Sequence, residues 1–273
     1  SKPVLPFGSA KDIMAWSRTD MTTMLKRQGW RLFAEFANHT DGFVSPSEHL
    51  ARTLIKSGAK VDCHIVPNGI NLTRYQEAKV SDSPITKRPG EKLILCVARL
   101  SAEKRQATLI DAMRYVKDKN ARLVLVGEGP LDDALHELAE SYGVQEKVVF
   151  AGYHTPEKIA SLMKQADVFA LASWRFDNQP MVILEAIASG LPIVYCDNKL
   201  KEGLDGDNAL LTKGKSGKAF AAAFDQLLKD DERRKEMAKN SRVLAKECDI
   251  ERLAQALVGL YQEARDRKAL QQK

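Results

Sequence analysis

Two carboxylates stand eight positions apart in the stretch RFDNQPMVILEAIASGLPIV, residues 175–194. Asp177 lies in a polar segment that predicts a loop, whereas Glu185 lies in an apolar run that predicts a helix. Carboxylates accept hydrogen bonds from sugar hydroxyl groups, and the amides at the start of a helix favour a phosphate. The spacing therefore predicts a sugar-phosphate site. Taken singly, each acid is better explained by a structural role, Asp177 as a helix cap and Glu185 in a surface ion pair.

A second polar group follows an earlier apolar run, in VARLSAEKRQATLI, residues 97–110. Arg99 and Lys104 could together neutralise a diphosphate, Arg99 through its planar fork and Lys104 as a point charge. Alone the pair is weak evidence, since loop cations are usually just solvated. Farther along, GEGP begins at Gly127 and lacks the third glycine of the dinucleotide fingerprint. It fits a turn into a helix at least as well as a ligand contact.

The elements that must position these residues alternate regularly after residue 90. Apolar strands in KLILCVA, RLVLVG, KVVFAG, DVFALAS and PIVYC are separated by amphipathic helices, one of them opened by Thr155 and Pro156. This alternation predicts an α/β fold, a doubly wound parallel sheet covered on both faces. Ligands of such sheets bind beyond the carboxyl ends of the strands, where Arg99, Lys104 and Asp177 are expected.

The sequence before the sheet predicts a partial α/β segment. A helix is expected over about residues 13–38, followed by a strand in DGFVSPSE and a helix capped by Ser47. Residues 76–89 carry Ser, Pro and Gly without apolar periodicity and predict a linker. Four parts follow: an amino-terminal segment, a linker, the sheet domain, and a final helix with its tail, at residues 1–75, 76–89, 90–248 and 249–273. The apolar residues of the first helix fall near one face: Met21, Leu25, Leu32 and Phe36.

Composition excludes several classes of protein. The 273 residues are 44% hydrophobic and 29% charged, as in globular chains, and no stretch approaches the roughly 20 apolar residues of a membrane span. The start lacks the apolar core of a signal peptide, so a cytoplasmic location is expected. The net charge of +6 comes from cations mixed among 36 acids, and without an RNA-binding or zinc-finger motif nucleic acid is not an expected partner. The four scattered cysteines predict buried structural thiols.

Five motifs, in order, resemble those of the retaining glycosyltransferases of family 4, which have the GT-B fold. VPNGIN resembles the segment between the two domains of that family, VARLSAEK its G-R-L-x-x-E-K loop, and LVLVGEGP its second strand and turn. VVFAGYHTPEKIASLMKQADVFALAS resembles the third and fourth strands, and EAIASGLPIV the E-A-x-A-x-G-x-P signature. Asp177 and Glu185 match the family's two acids separated by seven residues. The resemblance covers essentially the whole chain, although most of the amino-terminal domain lacks a counterpart.

The resemblance implies a role for each matching residue. Arg99 and Lys104 match the cations that hold the donor's diphosphate, and Asp177 matches the acid that contacts the transferred sugar; these three are the expected catalytic residues. Glu185 matches the acid that binds the ribose hydroxyls. No metal and no cofactor are implied. The expected donor site is completed by loop and helix residues, several of which offer backbone amides to sugar and phosphate: Gly127, Asn178, Gln179, Met181 and Val182.

Three residues depart from the family pattern. Asp177 replaces the more usual glutamate, Pro180 replaces a glycine and removes one amide donor, and Arg105 follows Lys104 where glycine is common. The first two predict a changed sugar preference, and the third puts the shape of the loop in doubt. Neither histidine is assigned the role of the histidine that the family places near the reacting carbon. His39 is expected to be a surface or capping residue. His154 lies at the carboxyl edge of a strand, where it could approach the donor, although a plain loop role is the commoner explanation.

The implied function is transfer of a hexose from a nucleotide sugar, in first place a UDP-sugar, to a glycolipid or polysaccharide acceptor with retention at the anomeric carbon. Only residues 1–75 resemble the acceptor-side domain, so this chain is expected to bind donor better than it transfers sugar. A non-catalytic nucleotide-sugar-binding fragment is the alternative, and a dinucleotide oxidoreductase is disfavoured. The basic, aromatic first helix leaves peripheral contact with the inner face of a membrane open, although a core-facing apolar stripe is the commoner explanation.

Overall fold

The computed structural model describes the backbone of residues 10–271 and the side chains of residues 24–270. The chain divides into two compact units, one from Ser1–Val66 with Gly259–Lys273 and one from Pro67–Val258. The side chain of Met21, predicted on the first helix, lies outside the described residues. None of the described helices is long and apolar enough to cross a membrane.

The first unit contains a two-stranded parallel sheet. Its elements are α1 (Ala10–Ala37), β1 (Phe43–Ser45), α2 (Glu48–Lys56) and β2 (Cys63–Ile65). Ser47 caps α2 as predicted, since its hydroxyl accepts the amide hydrogen of Leu50 at 3.2 Å.

The apolar stripe predicted on α1 is not buried within this chain, as far as the structure describes its side chains. Leu25, Leu32 and Phe36 are exposed, and the buried residues are Ala34 and Ala37. These small side chains pack in one cluster with Leu54 of α2, because alanine allows a close approach of two helices.

The second unit is built on a six-stranded parallel sheet with strand order β5-β4-β3-β6-β7-β8. Counted from β3, this is the 3-2-1-4-5-6 order of doubly wound sheets, which confirms the predicted fold class. The strands are β3 (Lys92–Val97), β4 (Ala121–Val126), β5 (Val148–Gly152), β6 (Val168–Leu171), β7 (Ile193–Tyr195) and β8 (Ala209–Leu211). The helices are α3 (Leu72–Gln76), α4 (Gln106–Ala112), α5 (Asp132–Ser141), α6 (Pro156–Met163), α7 (Met181–Ala188), α8 (Gly217–Leu228), α9 (Asp231–Ala245) and α10 (Ile250–Gln271), the last running into the first unit.

Helices cover both faces of this sheet, as the unbroken apolar strands predict. Along β3, Ile94 and Cys96 belong to one buried cluster, and Leu93, Leu95 and Val97 belong to another. Alternate residues of a strand point to opposite faces, so each face has its own core. A sheet buried on both sides holds its strand ends rigidly, which lets loops at those ends form a defined site.

The predicted linker is not a free connection between domains. The compact units divide at Val66 and Pro67, and residues 76–89 belong to the second unit. The ammonium group of Lys87 pairs with Asp167 at 2.6 Å, and the Gln165 side chain donates to the carbonyl of Ile85 at 2.8 Å. The polar composition of the segment predicts a linker. Its packing could not be predicted locally, because the residues that hold it in place are distant in sequence.

Candidate functional site

The expected site residues lie where the sheet changes its direction of winding. Strands β3 and β6 are neighbours in space although β4 and β5 separate them in sequence. The chain therefore leaves their carboxyl ends in opposite directions and opens a crevice there, the usual ligand position in such folds. Arg99 and Lys104 follow β3, whereas Asp177, Asn178 and Gln179 follow β6.

The structure brings Lys104 and Asp177 together across this crevice. The ammonium nitrogen of Lys104 lies 2.5 Å from Oδ1 of Asp177. The two side chains are only 18% and 11% exposed, so solvent screens this pair less than a surface ion pair. The ring of Phe176 lies 5.2 Å from the same ammonium group. A cation and a carboxylate that are 73 residues apart in sequence therefore share one position at the switch point.

Arg99 shares the loop with Lys104 but remains outside this pair. Its side chain is exposed and makes no ion pair within 4 Å with any residue that the structure describes. Its backbone is fixed, because the buried Gln106 side chain donates to the Arg99 carbonyl at 2.7 Å. The structure thus holds the Arg99 backbone beside the crevice, and the charge of its exposed guanidinium group acts on Glu103 of the same loop.

Arg105 explains why glycine is common after this lysine. Its backbone is left-handed, with φ of 56° and ψ of 37°, a conformation that costs an ordinary residue about 1 kcal/mol. The guanidinium group donates to the carbonyl of Ala172 at 3.4 Å and to that of Lys215 at 2.9 Å. These bonds offset the strain and attach the Lys104 loop to the end of β6. The loop keeps its turn without the glycine.

The GEGP segment has a structural role. A Cβ atom at Gly127 would lie 2.2 Å from the carbonyl oxygen of Ala98, and one at Gly129 would lie 2.3 Å from that of Leu100. The backbones themselves are bonded, since the amide of Leu100 donates to the carbonyl of Glu128 at 3.0 Å. Both glycines are therefore required for the loop after β4 to support the loop that carries Arg99. No direct donor contact of Gly127 follows from this geometry.

Helix α7 begins beside Asp177. Pro180 is its N-cap residue and makes no side-chain cap, so Asp177 is not the cap of this helix. The first helical hydrogen bond runs from the amide of Ile183 to the carbonyl of Pro180 at 3.0 Å. The amides of Met181 and Val182 precede that bond and stand at the positive end of the helix. Their position suits an anion, as the sequence predicts.

Gln179 joins this loop to the segment VPNGIN. Its side-chain oxygen accepts the amide hydrogen of Asn68 at 2.6 Å, and the Asn68 side chain donates to the Gln179 carbonyl at 3.4 Å. Gln179 is buried, with 7% of its surface exposed. The motif after β2 thus helps to fix the loop that carries Asp177, a contact between residues 111 positions apart that no local pattern could reveal.

Glu185 is half-buried and is not part of a surface ion pair. Burial raises the pKa of its carboxyl group, while a hydrogen bond from Tyr75 and the nearby charge of Arg74 lower it. Tyr75, on α3, is fully buried, and burial together with the charge of Glu185 raises the pKa of its hydroxyl group well above the usual range. A single tyrosine in NLTRYQ carries no motif, so no sequence pattern predicts the contact of Tyr75 with Glu185.

The two histidines considered in the sequence follow other elements than the loops that carry Lys104 and Asp177. The imidazole of His39 lies 2.8 Å from the carbonyl of Glu35 at the end of α1, which confirms a capping role. His154 follows β5, which lies two strands from β3 at the sheet edge. No group of three or more acidic, histidine or cysteine side chains among the described residues could hold a metal ion.

Comparison with known proteins identifies the family. Residues 79–270 match the family model of glycosyl transferases group 1. The chain is 30% identical over 181 residues to the alpha-monoglucosyldiacylglycerol synthase of Streptococcus pneumoniae, covering 63% of this chain and 41% of that protein. It is 31% identical over 213 residues to the D-inositol 3-phosphate glycosyltransferase of Nocardia farcinica, covering 72% and 47%. The chain thus spans less than half the length of these relatives.

A solved structure shares the fold. Anabaena Alr3699/HepE in complex with UDP aligns with a TM-score of 0.75 at 22% identity, over 87% of this chain and 68% of that chain. At this identity the likeness supports the GT-B fold alone. The family match covers well over half of the chain. The chain therefore belongs to the glycosyl transferases group 1.

Proposed function

We propose that this chain binds a nucleotide sugar, in first place a UDP-sugar, and belongs to an enzyme that transfers the hexose to a lipid or polysaccharide acceptor with retention. The observation that carries the proposal is the ion pair of Lys104 with Asp177 at the switch point of the sheet. A donor brings a diphosphate for the ammonium group and hydroxyl groups for the carboxylate. Lys104 then pairs with the diphosphate and Asp177 with the hydroxyl groups, in place of their contact with each other.

The proposed chemistry is electrostatic. The bond between the anomeric carbon and the diphosphate oxygen breaks, and its electron pair stays on that oxygen. The acceptor oxygen bonds to the same carbon and gives its proton to the departing diphosphate. Lys104, Arg99 and the first amides of α7 stabilise the charge that develops on the diphosphate. Glu185, held by Tyr75, accepts hydrogen bonds from the ribose hydroxyl groups. No step of this proposal uses a metal or a cofactor.

The donor and the acceptor are proposed from relatives. Alr3699/HepE has been solved with UDP and with UDP-glucose, which supports a UDP-sugar. The pneumococcal relative is named for a diacylglycerol lipid, which supports a lipid acceptor and contact with a membrane surface. The length of the chain relative to these proteins supports the second candidate, a fragment that binds the donor without catalysing transfer.

Calorimetry with UDP, GDP and NAD tests the binding class. We expect a nucleoside diphosphate to bind, and binding of NAD alone would overturn the proposal. A donor-hydrolysis screen across nucleotide sugars then compares the chain with Glu185→Ala. The matched control is Glu146→Ala, which removes an exposed acid from the 3-10 helix Gln145–Lys147. Loss of nucleotide affinity in both variants would contradict the role of Glu185.

A further inference from the structure

The loop after β6 holds an unusual group of unpaired polar atoms. Within the part of the chain whose side chains are described, three atoms between residues 173 and 179 are buried without a hydrogen-bond partner: Ser173 Oγ, Asp177 Oδ2 and Gln179 Nε2. A buried donor or acceptor without a partner costs about 1–3 kcal/mol. Folded proteins rarely leave such groups unpaired, and their concentration in one loop indicates a site for a polar ligand.

The orientation of the Gln179 amide follows from its partner. The backbone amide of Asn68 can only donate, so the group 2.6 Å away must be the oxygen of the Gln179 side chain. The Nε2 group therefore faces away from Asn68 and still has hydrogens to donate. The same bond prevents the amide from flipping to satisfy itself elsewhere.

Asp177 offers the complementary group. Its Oδ1 atom is taken by Lys104, but its Oδ2 atom is an unpaired acceptor two residues from Gln179. The two side chains do not hydrogen-bond to each other. A hydroxyl group can accept from an amide and donate to a carboxylate at the same time. The loop thus carries one unpaired donor and one unpaired acceptor two residues apart, the two kinds of group that bind sugar hydroxyls.

We propose that the Gln179 side chain is a specificity-determining residue: its Nε2 group donates a hydrogen bond to a hydroxyl group of the transferred sugar, and Oδ2 of Asp177 accepts from that hydroxyl or its neighbour. The inference rests on the proposed donor-binding function and adds the side chain of Gln179 to it. The contact selects sugars with a hydroxyl group at that position, because a sugar without it leaves both buried groups unpaired.

Two variants separate this role from a structural one. Gln179→Glu keeps an oxygen for the amide of Asn68 and replaces the donor by a second oxygen. Gln179→Leu removes both functions. Affinities are measured by calorimetry for the sugar nucleotide that the wild-type chain binds most tightly among UDP-glucose, UDP-galactose, UDP-N-acetylglucosamine and GDP-mannose. The matching nucleoside diphosphate and the monodeoxy analogues of that sugar nucleotide serve as comparison ligands.

Both variants are expected to lose roughly fivefold to tenfold more affinity for the sugar nucleotide than for the nucleoside diphosphate, a difference that corresponds to one net hydrogen bond. One deoxy analogue should bind the wild-type chain with the same loss and show no further loss with either variant.

Several results would overturn the inference. Equal affinity of all three chains for the sugar nucleotide would mean that the buried pair holds a water or nothing. Loss in Gln179→Leu alone would assign Gln179 only its bond to Asn68, and a parallel loss for the nucleoside diphosphate would indicate a disturbed loop. A wild-type chain that binds neither nucleotides nor sugar nucleotides would refute the proposed function itself, a distinct outcome.

Discussion

At the scale of single residues, the site is built from polar groups that contact one another. Lys104 and Asp177 form a shielded pair, and Glu185 shares a hydrogen bond with buried Tyr75. Each group therefore has a partner that a ligand must replace or share. The effect of a substitution here depends on whether the remaining partner then binds the ligand more strongly or is left unpaired. One substitution can therefore raise the affinity for one ligand and lower it for a related one.

Asp177→Asn should separate the two ligand contacts. We expect it to increase the affinity for UDP about twofold to fivefold, because Lys104 loses its competing partner, and to decrease the affinity for the sugar nucleotide by a similar factor. Lys104→Ala should weaken both. Calorimetry with the two ligands measures these changes. A weaker affinity of Asp177→Asn for UDP would show that the ion pair supports nucleotide binding rather than competing with it.

Glu185 should make nucleotide binding and stability depend on pH. Its pKa is raised, so the folded chain holds this proton more tightly than the unfolded chain does. The corresponding stability is fully present below the unfolded pKa and is lost as the pH rises through the folded pKa. Nucleotide affinity should instead rise as the pH rises through the folded pKa, because the protonated acid accepts fewer hydrogen bonds from the ribose than the carboxylate does.

The test compares Glu185→Gln and Tyr75→Phe with the wild-type chain in thermal unfolding and UDP titrations. The pH is varied from below the unfolded pKa of Glu185 to above its folded pKa. Glu185→Gln should raise the melting temperature at neutral pH and abolish this pH dependence. Tyr75→Phe should move the midpoint of UDP binding to higher pH, because the hydrogen bond from Tyr75 lowers the pKa of Glu185. An unchanged midpoint in Tyr75→Phe would argue against Glu185 as the titrating group.

At the scale of elements, the loop after β3 is held by a strained arginine and by two glycines of the neighbouring loop. Arg105 has a left-handed backbone, and Gly127 and Gly129 fit against the backbone of residues 98–100. The position of Lys104 thus depends on backbone conformation as well as on its own ion pair.

Substitutions at Arg105 should show an unusual order of stability. Arg105→Ala removes the bonds to Ala172 and Lys215 and keeps the strain, so the free energy of unfolding should fall by about 1–3 kcal/mol. Arg105→Gly removes the same bonds but relieves the strain and should be about 1 kcal/mol more stable than the alanine variant. Urea unfolding measures both. An alanine variant as stable as the glycine variant would show that the backbone at this position is not strained.

Much of the second unit could be predicted from the sequence because its signals are local. The apolar strands, the start of α6 at Pro156 and the placement of Arg99, Lys104 and Asp177 at strand ends all follow from residues near each other in the chain. Strand β8 was not predicted, because it has three residues and no alternating pattern of its own. Helices α8 and α9 were not predicted either, although α8 has a buried apolar face. The packed segment 76–89 and the bond between Asn68 and Gln179 depend on distant partners.

At the scale of the whole molecule, the family model matches most of this chain, whereas this chain corresponds to less than half of each curated relative described. Residues 79–270 match the family model, whereas the chain covers 41% and 47% of the two curated relatives described. The groups proposed for the donor all lie in the unit Pro67–Val258. Donor binding and sugar transfer therefore need not accompany each other in this chain.

The chain should bind UDP or a UDP-sugar within about tenfold of the affinity of a full-length relative, because the donor groups belong to one packed unit. Its rate of transfer to an acceptor should be far lower. Parallel calorimetry and transfer assays on this chain and the pneumococcal relative make the comparison. Transfer as fast as that of the relative would contradict the expectation and rule out the non-catalytic alternative.

The contact between Lys104 and Asp177 also bears on how a reaction cycle would end. On the proposed roles, transfer of the hexose leaves the Asp177 carboxylate without a ligand partner. It then pairs again with Lys104, which still contacts the nucleoside diphosphate. The returning carboxylate weakens that contact and helps to expel the by-product. An enzyme with this arrangement would promote release of its own product after each turnover, because the ion pair that forms again competes with the nucleotide for Lys104.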